Sequence, residues 1–202
     1  MATKIYMKAI VNSEHGMKRE KVLAAVTILK LPIMDHFLVI TDTGMIIKPT
    51  LDEKAAIIRF GAEMARCLGA VRPKVALLCA VELVNPAMPD TLDAAILSKM
   101  GDRGQLGDVE VDGPLALDNI ISMESAKHKG IVSHVAGQAD VMVFPTIEVG
   151  NAISKAYTYM GVATGSILSG GTAPIIAPSR ADSTDTKYNG ILTAIIACNG
   201  GK

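Results

Sequence analysis

The chain has 202 residues, with 20 basic and 20 acidic side chains, so its formal net charge is zero. Neutral charge, an aromatic content of 3% and the lack of Trp give no reason to expect nucleic acid or an anionic membrane as a partner. Half of the residues are hydrophobic, no apolar run approaches the ~18 residues of a membrane span, and the N-terminus does not resemble a signal peptide, so we expect a cytoplasmic protein with a buried core.

Apolar segments alternate with helical patterns along the chain. The predicted strands are Val26–Leu29, Phe37–Ile40, Lys74–Ala80, Val109–Val111, Asp140–Phe144, Ser166–Ser169 and Pro174–Ala177. The predicted helices run from the capping box Thr50–Glu53 to Gly69, and then over Thr91–Met100, Leu117–Lys129, Ile147–Met160 and Asp185–Cys198. This alternation predicts a three-layer α/β/α fold with a mainly parallel sheet.

Polar or glycine-rich turns follow several predicted strands, where parallel sheets bind their ligands. These turns are Val81–Glu82, Asp112–Pro114, Pro145–Asn151, Ser169–Thr172 and Ser179–Arg180. Because the carboxyl ends of parallel strands share one rim, we expect the five turns to form one candidate site.

The segment Ala177–Ser183 carries the strongest chemical signal. It joins an apolar strand to the last helix, and so combines the guanidinium of Arg180, the hydroxyl of Ser179 and the free N–H groups of a helix start. All three favour a phosphate or a developing oxyanion. The alternative is an ordinary helix cap, with Arg180 in a surface ion pair with Asp182 or Asp185.

Five segments, in order, resemble the phosphate acetyl/butyryl transferase family over nearly the whole chain. They are Ala80–Pro89, Val111–Asn119, Val135–Asp140, Pro145–Asn151 with Lys155, and Ser179–Ser183. The resemblance leans towards the butyryl branch, because Asp112–Asp118 is similar to that branch. Tyr159 also stands in a stretch where the acetyl branch usually carries an arginine, and this leaves a less polar site that fits a longer acyl group.

The resemblance implies reversible transfer of an acyl group between inorganic phosphate and coenzyme A. In the family, the coenzyme A thiol attacks the acyl-phosphate carbonyl directly and phosphate leaves, which requires a base and positive charge near the oxygens. It also implies a two-lobed fold like that of isocitrate and isopropylmalate dehydrogenases, a homodimer, and coenzyme A as a co-substrate rather than a tightly bound cofactor.

The resemblance assigns the central roles to the last β/α unit. Arg180 would hold the phosphate or polarise the carbonyl, and Ser179 would donate a hydrogen bond to the same oxygens. The base is open between Asp185 and Asp182, either of which could instead be a helix acid favoured by the dipole. Thr186 stands where the acetyl branch has an aspartate.

Further substrate-binding positions lie elsewhere in the family motifs and turns. They are Ser183, Glu148, Asn151, Lys155, Tyr159, Gly113, Pro114, Asp118, Gly170 and Gly171, and Lys8 and Lys18 stand where the family has arginines that serve coenzyme A. A capped helix explains residues 148–155 about as well, and turn chemistry explains the Gly-Pro pair. The histidines lack metal-ligand spacing and we expect no metal site, with Cys67 and Cys79 as buried thiols.

Comparison with the family leads us to expect that the chain lacks roughly the first third of a family member. Residues 21–164 would then form the second lobe, and residues 1–20 with 165–202 a remnant of the first. Such a remnant would leave strand edges and an apolar face to be covered by self-association or by a separate chain that supplies the missing units.

The sequence leaves three other functional interpretations beside acyl transfer. The main alternative is a catalytically idle binding or dimerisation module of the same family. A dehydrogenase is disfavoured because no clear GxGxxG follows a strand and no acidic metal cluster is evident. A covalent acyl-thiol on Cys198 is disfavoured because no base lies near it in sequence.

Overall fold

The computed structural model describes residues 3–200, so residues 1, 2, 201 and 202 of the predicted lobe remnant lie outside the described residues. The helices are α1 Thr3–Ile10, α2 Leu51–Cys67, α3 Pro89–Asp102, α4 Leu117–Ile121, α5 Met123–His128, α6 Ile147–Tyr159 and α7 Thr184–Asn199. The strands are β1 Ala24–Lys30, β2 Leu38–Thr41, β3 Lys74–Leu78, β4 Glu110–Leu115, β5 Val141–Val143 and β6 Ala163–Ser169.

The strands form one six-stranded sheet in the order β4-β3-β5-β2-β1-β6. Neighbours from β4 to β2 are parallel, whereas β1 is antiparallel to both β2 and β6. The predicted mainly parallel sheet is therefore confirmed, with β1 as the strand that runs the other way. Strand β1 is antiparallel to β2 because the connection between them, residues 31–37, is long enough for an antiparallel return but too short for a parallel crossover.

Helices cover both faces of the sheet, as the three-layer prediction requires. On one face, apolar side chains of β1, β3 and β5 pack against α2 and α3, with residues of α7 at the margin. On the other face, Leu38, Ile40 and Met142 pack with side chains of α4, α5 and α6. A smaller cluster around Ala25 and Leu168 packs under α1.

The start and the close packing of α2 follow from its sequence. The Glu53 carboxylate accepts a hydrogen bond from the Thr50 N–H at 2.8 Å, and Thr50 Oγ1 accepts one from the Glu53 N–H, so the predicted capping box is confirmed. Further along, a Cβ on Gly61 would lie 2.6 Å from Cγ1 of Val141. Gly61 therefore lets α2 lie directly on β5.

Three local predictions differ from the structure. The predicted helix over 117–129 is two helices, because Ser122 takes an extended backbone and its Oγ accepts from the Ser125 N–H at 3.2 Å. The predicted turn Asp112–Pro114 lies within β4, and its Gly113–Pro114 peptide is cis. The predicted strand Pro174–Ala177 makes one isolated bridge, from Ile175 to Leu168.

The proposed lobe boundary at residue 164 falls inside β6. That strand pairs with β1 along its full length, from Ala24 opposite Ser169 to Lys30 opposite Ala163. The division into lobes stays a prediction.

Ion pairs of the buried Lys54 ammonium with two partly exposed carboxylates join α2 to the N-terminal part of α3. The ammonium of Lys54 lies 2.9 Å from Asp90 Oδ1 and 2.8 Å from Asp93 Oδ2, and its side chain is 6% exposed. Burial by itself lowers the pKa of Lys54, but hydrogen bonds to the two carboxylates outweigh it and raise the pKa above its usual value. The Lys54 ammonium therefore stays charged at neutral pH.

Removing the Lys54 ammonium should destabilise the fold. In Lys54→Met, Asp90 and Asp93 lose their common partner, and we expect the free energy of unfolding in urea to fall by about 2 kcal/mol. The matched control is Lys99→Met, because the pair of Lys99 with Asp102 is exposed within α3 and its loss should change stability little. Equal losses in the two variants would contradict a structural role for the buried ammonium of Lys54.

Candidate functional site

A cavity of about 510 Å³ opens over β1 and β6, at the edge of the sheet away from β4. Its floor consists of the side chains that these two strands turn to one face, which are Ala25, Thr27, Thr164, Ser166 and Leu168. Its walls come from α6, the residues after β2, the start of α7 with the segment before it, and Met7 of α1.

Three hydroxyl groups meet where the floor of this cavity joins the wall formed by the residues after β2. The Oγ1 of Thr27 donates to Ser166 Oγ at 2.9 Å and lies 3.2 Å from Thr43 Oγ1. Thr27 and Ser166 are direct partners in the β1–β6 pairing, and both threonines are buried. We name this group the hydroxyl cluster; each member can both donate to and accept from an oxygen atom.

Asp42 fixes the loop that forms one wall. Its buried carboxylate accepts backbone N–H bonds from Ala25 at 2.9 Å, Gly44 at 2.9 Å, Met45 at 3.1 Å and Ile46 at 2.7 Å. Burial raises the pKa of Asp42 above its usual value, and the four N–H donors act in the opposite direction by favouring the carboxylate. The carboxylate thereby ties the loop after β2 to the start of β1.

Helix α6 supplies the polar wall. Asn151, Lys155 and Tyr159 follow one another at intervals of four residues and all line the cavity. The Asn151 amide donates to the Thr43 carbonyl at 3.2 Å. Lys187 of α7 lines the cavity as well, so two exposed ammonium groups stand at its mouth.

The segment before α7 supplies the remaining wall. Ser179, Asp182, Ser183 and Thr186 line the cavity. The Ser179 N–H donates to Asp182 Oδ2 at 2.7 Å, and Ser183 caps α7 by accepting from the Thr186 N–H at 3.1 Å. The structure thus places six predicted site residues around one cavity, namely Asn151, Lys155, Tyr159, Ser179, Asp182 and Ser183.

Arg180 and Asp185 lie beside the cavity rather than in its lining. Both are exposed, and both neighbours of Arg180 in sequence, Ser179 and Ala181, are lining residues. In the described part of the chain, Arg180 forms no ion pair with Asp182 or Asp185, in contrast to the surface-pair alternative.

The middle motif lies at the other edge of the sheet. Gly113 and Pro114 belong to β4, and Asp118 lies in α4. The Asp118 carboxylate accepts from Ser125 Oγ at 2.5 Å and lies 3.0 Å from Lys129 Nζ. These hydrogen bonds lower the pKa of Asp118, so its observed surroundings are those of an exposed ionic cluster.

The remaining predicted positions are dispersed. Gly170 and Gly171 line a second cavity of about 220 Å³ beside α2, and Glu148 is exposed in the first turn of α6. Lys8 and Lys18 are exposed on α1 and on the segment after it. Of the five turns that we expected to form one site, only the 145–151 and 179–180 turns therefore contribute residues to the main cavity. The roles of the other predicted residues stay predictions.

Sequence reasoning missed the hydroxyl cluster and Asp42. The available signal was a hydroxyl residue in the middle of each of two largely apolar strands, Thr27 in AAVTILK and Ser166 in ATGSILS. A buried polar side chain in a strand requires a partner, which makes such positions candidates for a site.

The fold and the cavity define the general class of the protein. It is an α/β protein whose main cavity is lined by hydroxyl, amide, ammonium and carboxylate groups together with apolar side chains, an arrangement suited to a small anion with an apolar group. The chain belongs to the phosphate acetyl/butaryl transferase family, whose model matches residues 2–197. The family resemblance of the motifs is thereby confirmed.

Relatives from both branches are equally similar. Phosphate butyryltransferase of Clostridium acetobutylicum is 44% identical over 199 residues, which are 98% of this chain and 66% of the relative. Phosphate acetyltransferase of Thermotoga maritima is 44% identical over 193 residues, which are 95% of this chain and 66% of the relative. The chain thus spans about two thirds of the length of these curated relatives.

A solved structure shares the fold closely. The branched-chain phosphotransacylase of Enterococcus faecalis V583 superposes with a TM-score of 0.90 at 34% identity, covering 98% of this chain and 71% of that one. Over residues 3–200, no helix is both long and apolar enough to cross a membrane. Within the same range, no three His, Cys, Asp or Glu side chains are grouped as metal ligands would be.

The three cysteines should differ sharply in reactivity. Burial raises the pKa of the Cys79 thiol to about 11 and also raises the pKa of the half-buried Cys67, whereas Cys198 is exposed on α7. With Ellman's reagent at pH 8, we expect Cys198 to react fast, Cys67 slowly, and Cys79 only after unfolding in guanidinium. Rapid labelling of Cys79 in the native protein would contradict its burial.

Proposed function

We propose that the main cavity binds an acyl phosphate and the thiol end of coenzyme A, and that the chain transfers a short acyl group reversibly between coenzyme A and inorganic phosphate. The observation that carries the proposal is the meeting of the Ser179–Ser183 segment, the α6 residues and the hydroxyl cluster around one cavity. Membership of the family and the chain's similarity to a phosphate butyryltransferase and a phosphate acetyltransferase support this reaction class.

The reaction would be a direct displacement. The coenzyme A sulfur attacks the acyl carbonyl carbon, the new C–S bond forms, and the bond from that carbon to the phosphate oxygen breaks. The thiol proton passes to a base, and phosphate leaves with the bonding electrons. Asp182 is the better placed of the two candidate bases, because it lines the cavity whereas Asp185 does not.

Positive charge for the phosphate would come from the mouth of the cavity. Lys155 and Lys187 line it, and Arg180 is flanked by two lining residues. A long exposed side chain changes rotamer readily on binding, so the guanidinium of Arg180 can turn onto the phosphate without a backbone movement. Ser179 and the hydroxyl cluster would donate to the phosphate and carbonyl oxygens.

Loss of the Arg180 guanidinium should impair turnover. In Arg180→Ala, we expect kcat/KM for coenzyme A-dependent phosphate release from butyryl phosphate to fall about 100-fold or more, because one charge-assisted contact to the transition state is lost. The control is Arg103→Ala, an exposed arginine at the end of α3. Unchanged turnover in Arg180→Ala would contradict this role, and a wild-type chain without phosphate release would contradict the proposed function.

Isosteric variants can show which of the two carboxylates, Asp182 or Asp185, acts as the base. We expect Asp182→Asn to lower kcat about 100-fold, because the amide cannot accept the thiol proton. Asp185→Asn serves as the matched control and should retain most of the activity. The reverse order of effects would make Asp185 the base.

A second candidate function is a binding or dimerisation module without turnover. In the described residues, α7 exposes the apolar side chains Tyr188, Ile191, Leu192 and Ile195, at the spacing of one helix face. Such a face is typical of a surface that another protein covers. Calorimetric binding of coenzyme A without any phosphate release would favour this alternative, and robust turnover by the purified chain would reject it.

A further inference from the structure

We propose that the apolar end of the main cavity is the seat of the acyl chain, and that Met45 limits the chain to about four or five carbons. The acyl seat consists of Met7, Ala25, Met45, Leu168 and Ile176. This inference rests on the proposed acyl transfer and adds the class of acyl group that the same site accepts.

The floor of the cavity changes from apolar to polar along the paired strands β1 and β6. Ala25 lies opposite Leu168, and two residues further along β1, Thr27 lies opposite Ser166. Two residues along a strand correspond to roughly 7 Å. An acyl group whose carbonyl oxygen accepts a hydrogen bond from the hydroxyl cluster can therefore direct its chain towards the apolar pair Ala25 and Leu168.

The length of this floor suits a short chain. Beyond its carbonyl carbon, a butyryl group has three C–C bonds of about 1.5 Å each, which carry its methyl into contact with the apolar pair. The single C–C bond of an acetyl group stops short of that pair. The five C–C bonds of a hexanoyl group span the whole distance between the hydroxyl cluster and the apolar pair, so the end of the chain would press against the side chains that close the acyl seat.

Met45 lies over this floor in a fixed position. Its N–H donates to both carboxylate oxygens of Asp42 at 3.1 Å, and its side chain packs against the apolar cluster of Ala25 and Leu168. A Cβ on Gly44 would lie 3.9 Å from the Ala25 Cβ, so the loop passes directly above the strand. Met45 is half-buried, so it closes the seat without filling it.

Charged groups line the other parts of the cavity. The ionisable lining residues in the described part of the chain are Lys155, Lys187, Asp182 and Tyr159, which come from α6 and from the segment at the start of α7. Asp42, next to the loop, accepts four backbone N–H bonds and is not a lining residue. The seat therefore accepts an uncharged hydrocarbon chain.

Two variants of the seat should change chain-length preference in opposite directions. We expect Met45→Ala, which opens the seat, to raise the ratio of kcat/KM for hexanoyl-CoA over butyryl-CoA about tenfold in the phosphate-dependent release of coenzyme A. Ala25→Val narrows the floor and should lower the ratio of butyryl-CoA over acetyl-CoA by a similar factor. Met88→Ala, a half-buried loop methionine away from this cavity, is the control and should leave both ratios unchanged.

The outcomes separate this inference from the proposed function. If the wild-type chain releases coenzyme A from none of the three thioesters, the proposed function fails and the acyl seat fails with it. If turnover occurs but both variants keep the wild-type ratios, or lose all three activities in proportion, the acyl seat is wrong while acyl transfer stands. Thermal unfolding shows whether each variant is folded. If Met45→Ala does not fold, the acetyl-CoA and butyryl-CoA ratio of Ala25→Val tests the acyl seat alone.

Discussion

The shape of the cavity depends on one buried carboxylate. Asp42 accepts N–H bonds from Ala25 at the start of β1 and from three residues of the loop after β2, so one side chain sets the distance between floor and wall. Helix α6 packs onto the same point, since a Cβ on Gly150 would collide with the Asp42 carbonyl oxygen. Strand, loop and helix therefore share a common anchor, and the polar wall of α6 stands at a fixed height above the hydroxyl cluster.

The hydroxyl cluster depends on the direction and register of β1 as well as on its sequence. In the observed antiparallel register, Thr27 and Ser166 are direct partners on the face that the cavity uses. A slip of one residue would turn Val26 and Ile28 to that face and would bury the hydroxyl of Thr27 against α2. The hydroxyl cluster is thus a product of strand pairing, which explains why its members lie far apart in the sequence.

Local elements could be read from the sequence, whereas long-range placement could not. The Thr50 capping box and the predicted helix Ile147–Met160 depend only on neighbours within a few residues, and the structure has both, with α6 over Ile147–Tyr159. Asp112–Pro114 has the residue types of a turn, yet it lies in β4, where a Cβ on Gly113 would meet the Leu77 Cβ at 2.7 Å. Gly113 is needed there because it packs closely against β3, and no local sequence pattern indicates this contact. The pairing of Thr27 with Ser166 likewise depends on residues that are distant in the sequence.

The distribution of charge around the cavity has a physical rationale under acyl transfer. Burying an ammonium or a guanidinium is costly unless it is paired, and here Lys155, Lys187 and Arg180 all remain exposed at or beside the mouth. Neutral hydroxyls can stand deeper, because their desolvation is met by their mutual hydrogen bonds. A phosphate held by cations at the mouth would then point its acyl carbonyl inward, where fixed hydroxyl dipoles in a low-dielectric setting act strongly on a developing oxyanion. The exposure of Arg180 fits such a role, since the counter-charge of its guanidinium would come from the substrate.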